Sequence, residues 1–232
     1  IEVTNDEAIV GSSVDFTIDE LRTRSKNYFA TQNRAVTKLD YEAIAYNMPT
    51  KFGKIKRINA VNNPFATNKE LILYVVSVDE NGNLVQTNMR TKQNLKTWLN
   101  QYNSINDVVR IDDAKIVNFR IDFSILTDNR YETSGVLSNA VERVRKLYSD
   151  KLYVGEPIYL NDIRNILSKT EGVVDINTVS VSNVSSTDGN YSAIQIDFDR
   201  ELKSNDGTYY KAPKNVIFEL KNPEENVKGI AT

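Results

Sequence analysis

At 232 residues the chain is long enough to bury one large core or two small ones, and its 40% hydrophobic and 26% charged residues are those of an ordinary globular protein, not a disordered one. A formal net charge of -2 and a pI near 5.4 give no basic excess to neutralise a row of phosphates, so nucleic acid is not an expected partner. The chain has no cysteine and no histidine, which removes disulfides, thiolate nucleophiles, zinc-thiolate sites and the commonest general base.

No apolar run reaches the roughly 20 residues that span a bilayer, and the opening IEVTNDEAIV has neither the basic nor the apolar region of a signal peptide. Neither membrane insertion nor classical secretion is expected. Because the chain begins at Ile1 instead of Met, it reads as a processed chain or as part of something longer, and the second is the expectation.

The first sixteen residues or so read as an incoming linker. TIDELRTRSKNYFA then predicts a helix opened by a capping box of Thr17 and Glu20, with Ile18, Leu21, Ser25, Tyr28 and Phe29 along an inner face. In NRAVTKLDYEAIAYNMP an extended Ala-Val-Thr leads into a short helix with Thr37 as N-cap and Asp40 in its first turn. Tyr41, Ile44, Ala45 and Met48 form its apolar stripe, and Pro49 ends it. FGKIKRINAVNN and KELILYVVSVDENGN predict two antiparallel strands closed by the turn DENGN, and a helix from Met89 to Tyr102 follows with Leu95, Trp98, Leu99 and Tyr102 on one face.

In AKIVNFRIDFSIL, Val117, Phe119, Ile121 and Phe123 share an apolar face, alternating with Ile116, Asn118, Arg120 and Asp122. SGVLSNAVERVRKLYSD predicts an amphipathic helix through Leu137, Val141, Val144 and Tyr148. The connector KLYVGEPIYL is expected to be extended around Pro157, and a short helix NDIRNILSK follows it. The strands VVDINTVSVSNV, SAIQIDFD and NVIFEL complete the chain, with STDGN and SNDGT as hairpin turns.

These elements predict an α+β fold of two small modules, each with short helices packed on antiparallel or mixed sheets, preceded by a connecting helix. The expected divisions are a linker and connecting helix at 1–32, a first module at 33–113 and a second at 114–232 that ends in hairpins. One internal echo supports two related modules. Asp40, Tyr41, Ile44 and Gly53 match Asp162, Ile163, Ile166 and Gly172 as a short helix followed by a glycine that opens a strand.

Two carboxylate pairs are candidates for catalysis or metal binding: Asp112 with Asp113, and Asp197 with Asp199 on one face of a strand beside Gln195. Alternation alone explains the second pair as the solvated face of a half-buried strand. DENGN has Asp79, Asn81 and Asn83 at calcium-loop spacing, but Leu84 and Arg90 stand where that loop needs Gly and Glu, which favours a plain turn. Lys51, Lys54, Lys56 and Arg57 read as a guard against edge pairing, and no phosphate-binding loop or nucleophile elbow is present. Trp98 is expected in a core, whereas Tyr153 and Tyr159, in the connector, are candidate interface anchors.

TIDELRTRSKNYFATQNRAVTKLDYEAIA followed by FGKIKRINAV resembles the baseplate J-like family of contractile-tailed bacteriophages and related injection machines, and within it the C-terminal part of the baseplate wedge proteins of T-even type phages. The residues that carry the resemblance are Glu20, Leu21, Arg22, Arg34, Ala35, Val36, Thr37, Asp40, Tyr41 and Gly53, and then Gly155, Ile158, Ile163, Gly172 and Val173 in VGEPIYLNDIRNILSKTEGVVDI. The resemblance implies a structural protein without catalytic residues, cofactor or metal, which links wedges into a ring around the tail tube and rearranges on host contact so that the sheath contracts. Its implied partners are itself, as a homodimer or ring, other baseplate wedge proteins and a sheath-initiating protein. Its implied place is the virion tail baseplate, assembled in the host cytoplasm. A carboxylate-dependent cell-wall hydrolase using Asp197 and Asp199, or a receptor-binding module of tail machinery, are the competing expectations.

Overall fold

The computed structural model of the chain describes residues 18–64, 66, 70–103, 107–150, 152–186 and 190–232. In chain order the elements are α1 (Ile18–Thr31), α2 (Lys38–Tyr46), β1 (Arg57–Asn62), β2 (Glu70–Val78), β3 (Leu84–Val85), α3 (Met89–Leu99), β4 (Val108–Asp113), β5 (Lys115–Thr127), α4 (Thr133–Leu147), β6 (Ile158–Tyr159), α5 (Leu160–Ser168), β7 (Val173–Asn183), β8 (Tyr209–Tyr210), β9 (Val216–Glu219), α6 (Pro223–Asn226) and β10 (Val227–Ala231). The fold is α+β. It divides into two compact units, the first made of residues 1–78 and 87–112 and the second of 79–86 and 113–232.

In the first unit β2 pairs antiparallel with β1, Ala60 opposite Leu73, and also pairs with β4. Leu71, Leu73 and Val75 of β2 join Ile58 and Ala60 of β1, Ile44 and Ala45 of α2, and Leu95 and Leu99 of α3 in one core. The expected stripe of α2 is buried in full: Tyr41, Ile44, Ala45 and Met48 all lie inside. The helix starts where expected because Thr37 and Asp40 form a reciprocal cap. The Thr37 hydroxyl accepts from the Asp40 N–H (3.2 Å) and the Asp40 carboxylate accepts from the Thr37 N–H (2.8 Å). Trp98 of α3 packs against this core, and its indole N–H donates to the carbonyl of Ile44 at 2.8 Å.

In the second unit β5 is the axis. It pairs antiparallel with β7 along one edge, and on the other with β9 through Lys115–Asn118 and with β10 through residues 121–125, both parallel. Val117, Phe119, Ile121, Phe123 and Ile125 project into the core as the alternation requires. Helix α4 packs against β10 and α5 against β7. The fully buried face of α4 runs through Val136, Ala140 and Val144 to Tyr148, so Leu137 and Val141, expected at the centre of the stripe, lie at its margin.

One expectation needs correction here. SAIQIDFD is not a strand: Asp197 caps a wide π turn at Phe198–Leu202, which buries Phe198 and Leu202. The connector turns at Val154 and Gly155 and enters strand β6 directly after Pro157. The proposed N-cap Thr17 and most of the STDGN turn lie outside the described residues.

Candidate interaction surfaces

In the second unit the connector is held at two points, and the tyrosines are what it leaves outward. Gly155, at φ 82°, donates its N–H to the carbonyl of Val216 at 2.7 Å, and Ile158 is buried while β6 pairs antiparallel with β8. Val154, Ile158 and Leu160 face in, whereas Tyr153 and Tyr159 are 48% and 47% exposed. The Tyr159 ring packs against Tyr209 with centroids 5.6 Å apart, which fixes its direction. An exposed aromatic held rigid in this way suits an interface anchor, because little side-chain entropy is lost on contact.

Of the remaining residues singled out in this unit, Ile163 is fully buried and Val173 half-buried against the same core. Gly172 sits at φ 88°, where a Cβ would lie 2.6 Å from a methyl of Val136, so the position demands glycine twice over. In the first unit Gly53 is equivalent in kind: φ 127°, with the Thr91 side chain 2.4 Å from any Cβ.

Ala35 is buried and its N–H donates to the carbonyl of Tyr102 at 3.0 Å, which anchors the Ala-Val-Thr run, while Arg34 and Val36 are exposed. Tyr41 donates its hydroxyl to Asp107 at 2.8 Å and also meets Asn103. Burial, and then the Asp107 carboxylate, push the Tyr41 phenol well up.

Helix α1 is turned away from the expected orientation, so that of its expected inner face only Tyr28 lies toward the unit. Glu20, Arg24, Asn27, Tyr28 and Thr31 face the unit, and Ile18, Leu21 and Phe29 are 70%, 50% and 87% exposed. The Glu20 carboxylate lies 2.7 Å from the guanidinium of Arg57, whose side chain is only 2% exposed. Burial alone would raise the Glu20 carboxyl, but Arg57, with Lys56 and Arg24 behind it, more than reverses this and holds it below its ordinary value. Arg24 lies 4.0 Å over the ring of Tyr46, whose hydroxyl accepts from the N–H of Ile58 and whose phenol burial pushes up to about 12. Arg57 is therefore a buried ion-pair partner and no edge guard, which corrects the reading of the lysine cluster for that residue.

The candidate carboxylates are tied into local structure. Asp197 accepts from the N–H groups of Asp199 and Arg200, both at 3.1 Å, and Asp199 accepts from Lys203 at 2.8 Å and Tyr210 at 3.1 Å. Lys203, with help from Tyr210, holds the Asp199 carboxyl below its ordinary value against a smaller effect of burial. Asp112 pairs with Arg110 at 2.8 Å. In DENGN the Asp79 carboxylate accepts from the N–H groups of Asn81 and Asn83, an Asx turn with Gly82 at φ 80°. Among the described residues no three Asp or Glu side chains converge on a point where a metal would sit.

One buried polar cluster has no local signature in the sequence. Glu219 accepts from the Leu84 N–H (2.8 Å) and from the Asn118 amide (3.0 Å), and Asn118 in turn accepts from the Ser192 N–H at 2.7 Å. Both side chains are almost wholly buried beside a cleft of about 300 Å³ lined also by Lys115, Tyr191 and Lys221. Alternation on paper assigned Asn118 to the polar face, and only the three-dimensional packing shows that this face is covered at Asn118 while Arg120 and Asp122 stay partly exposed.

No family model matches the chain, and no curated protein matches it by sequence. Among solved structures it is similar to a chain of the anti-feeding prophage baseplate, determined by cryo-electron microscopy with six-fold symmetry, with a TM-score of 0.50 and 11% sequence identity. The similarity covers 88% of this chain and 41% of that one, so the present chain spans less than half the length of its structural neighbour.

Proposed function

We propose that the chain is a structural component of a contractile-tail baseplate, which links wedges into a ring around the tail tube and rearranges when the tail meets its host. The observation that carries this reading is the α+β course shared over 88% of the chain with a baseplate chain, at a TM-score of 0.50 and 11% identity. The residues that resemble the baseplate J-like motif fit architectural work. Ala35, Tyr41, Ile158 and Ile163 are buried, Thr37 and Asp40 cap α2, and Gly53, Gly155 and Gly172 sit at positive φ.

Self-association and contact with other wedge proteins follow from the same reading, with Tyr153 and Tyr159 as anchors. Light scattering across a concentration series should give a dimer or larger closed species that the Tyr153→Ser/Tyr159→Ser double variant weakens. Tails assembled without the protein should lack a closed baseplate ring by electron microscopy. Complete rings in its absence would overturn the proposal.

A further inference from the structure

Asn81–Gly82 is the only Asn-Gly step in the sequence, and both residues are exposed in the DENGN turn. The step is chemically labile, because a glycine has no side chain to shield its nitrogen from the carboxamide of the asparagine before it. Among the described residues the Asn81 carboxamide has no hydrogen-bond partner, so it can swing toward that nitrogen. What restrains the reaction is Asp79. Its carbonyl accepts from the Gly82 N–H at 3.1 Å, and its carboxylate holds the N–H groups of Asn81 and Asn83 at 3.0 and 2.7 Å. While these bonds last, the Gly82 nitrogen is engaged and rotation of the backbone at Asn81 is restrained.

We propose that Asn81 is a site of spontaneous deamidation, gated by the Asp79 turn, and that its β-linked product frees Leu84 from Glu219. When the turn opens, the Gly82 nitrogen attacks the side-chain carbonyl carbon of Asn81. A C–N bond forms, the bond to the carboxamide nitrogen breaks, and that nitrogen leaves as ammonia with the proton given up by Gly82. Water then opens the five-membered imide at one of its two carbonyls, leaving either aspartate or isoaspartate at position 81. Both products add a negative charge beside Asp79 and Glu80, but only isoaspartate inserts a methylene into the main chain. That insertion, about 1.5 Å, exceeds the normal spread of hydrogen-bond lengths. It falls inside a loop closed by the Asp79 N–H on the Asn83 carbonyl at 2.9 Å. Leu84 comes next, only 5% exposed, with its N–H on the Glu219 carboxylate at 2.8 Å, so a displaced Asn83 pulls directly on this buried bond.

The test incubates the whole chain at mildly alkaline pH and reads each asparagine by peptide mass spectrometry. Acid should accumulate at position 81 ahead of every other asparagine. The rate should rise about ten-fold in Asp79→Ala, which removes the carboxylate bonds of the turn, and at least as much in the wild-type chain unfolded in guanidinium chloride. Circular dichroism checks that Asp79→Ala folds, and the unfolded wild type gives the ungated rate independently of that variant. Hydrogen exchange at the Leu84 amide should quicken in the isoaspartate fraction and stay at its original rate in Asn81→Asp, which carries the charge without the extra methylene. Any of three results would overturn the proposal: another asparagine reacting first, an opened turn or unfolded chain reacting no faster than the folded wild type, or Leu84 exchanging alike in all three forms.

Discussion

The passage from a short helix through a glycine to a strand occurs once in each unit, and the two copies are fastened differently. In the first unit the nine-residue α2 is set by a side-chain capping box and by hydrogen bonds from Tyr41, and α1 docks beside it through charge. In the second unit the nine-residue α5 has no side-chain cap at all and is held by burying Leu160, Ile163 and Leu167. Each copy then needs a glycine at positive φ against the side chain of a helical residue, Thr91 in one and Val136 in the other. The same local route is thus stabilised by directional polar contacts in one unit and by apolar burial in the other. Polar fastening depends on solution conditions; apolar fastening depends mainly on shape.

The largest effect should come from Arg57→Met, which leaves the Glu20 carboxylate in a poorly solvated site and should cost the first unit about 3–5 kcal/mol, read from urea unfolding by Trp98 fluorescence. Acid probes the same pair. A carboxyl held below its unfolded value contributes stability that is fully present above the ordinary carboxylate range and is lost as pH falls through the lowered value, so α1 should undock only in strong acid. A Glu20→Gln variant should lack that acid step.

Next in size, Ile44→Ala and Ile163→Ala should each cost about 2–5 kcal/mol, because both side chains are fully buried and leave cavities. Hydrogen exchange should locate the loss in α2 for the first and in α5 for the second. Gly53→Ala and Gly172→Ala should follow at about 1–3 kcal/mol from backbone strain, before any added cost of moving Thr91 or Val136. Smallest should be Thr37→Ala, at about 1 kcal/mol for the lost cap, with Tyr159→Phe as the counterpart at the α5 N-cap position, a change that keeps the ring against Tyr209 and has no side-chain cap bond to lose. A cap-sized loss at position 159 would break the comparison.

What the sequence revealed follows the range of the forces involved. The cap of α2, the turn at Asp79 and the apolar face of β5 are set by neighbours within a few residues, and they were legible. The orientation of α1 was not, because the stripe rule assumes that a helix buries its apolar side in its own chain, and here Arg57, far along the sequence, attracts the polar side instead. Asp197 and Asp199 sit in a pattern that alternates like a strand, yet Asp197 caps a turn. Strand β10 passed unnoticed because VKGIA is short and gains its partner only by lying parallel to Ile121–Ile125. Glu219 and Asn118 are a pair separated by 101 positions, beyond the reach of any local pattern.

The central place of β5 has a mechanical consequence. Its partner β10 runs parallel to it, so tension between Lys115 and Ala231 pulls the two strands past each other and loads their ladder all at once. Its antiparallel partner is β7, so tension between Lys115 and Asn183 opens that ladder one rung at a time. Pulled by the first pair of handles the second unit should resist as a shear joint, and by the second it should unzip at a lower force, a difference that single-molecule stretching between engineered attachment points would measure.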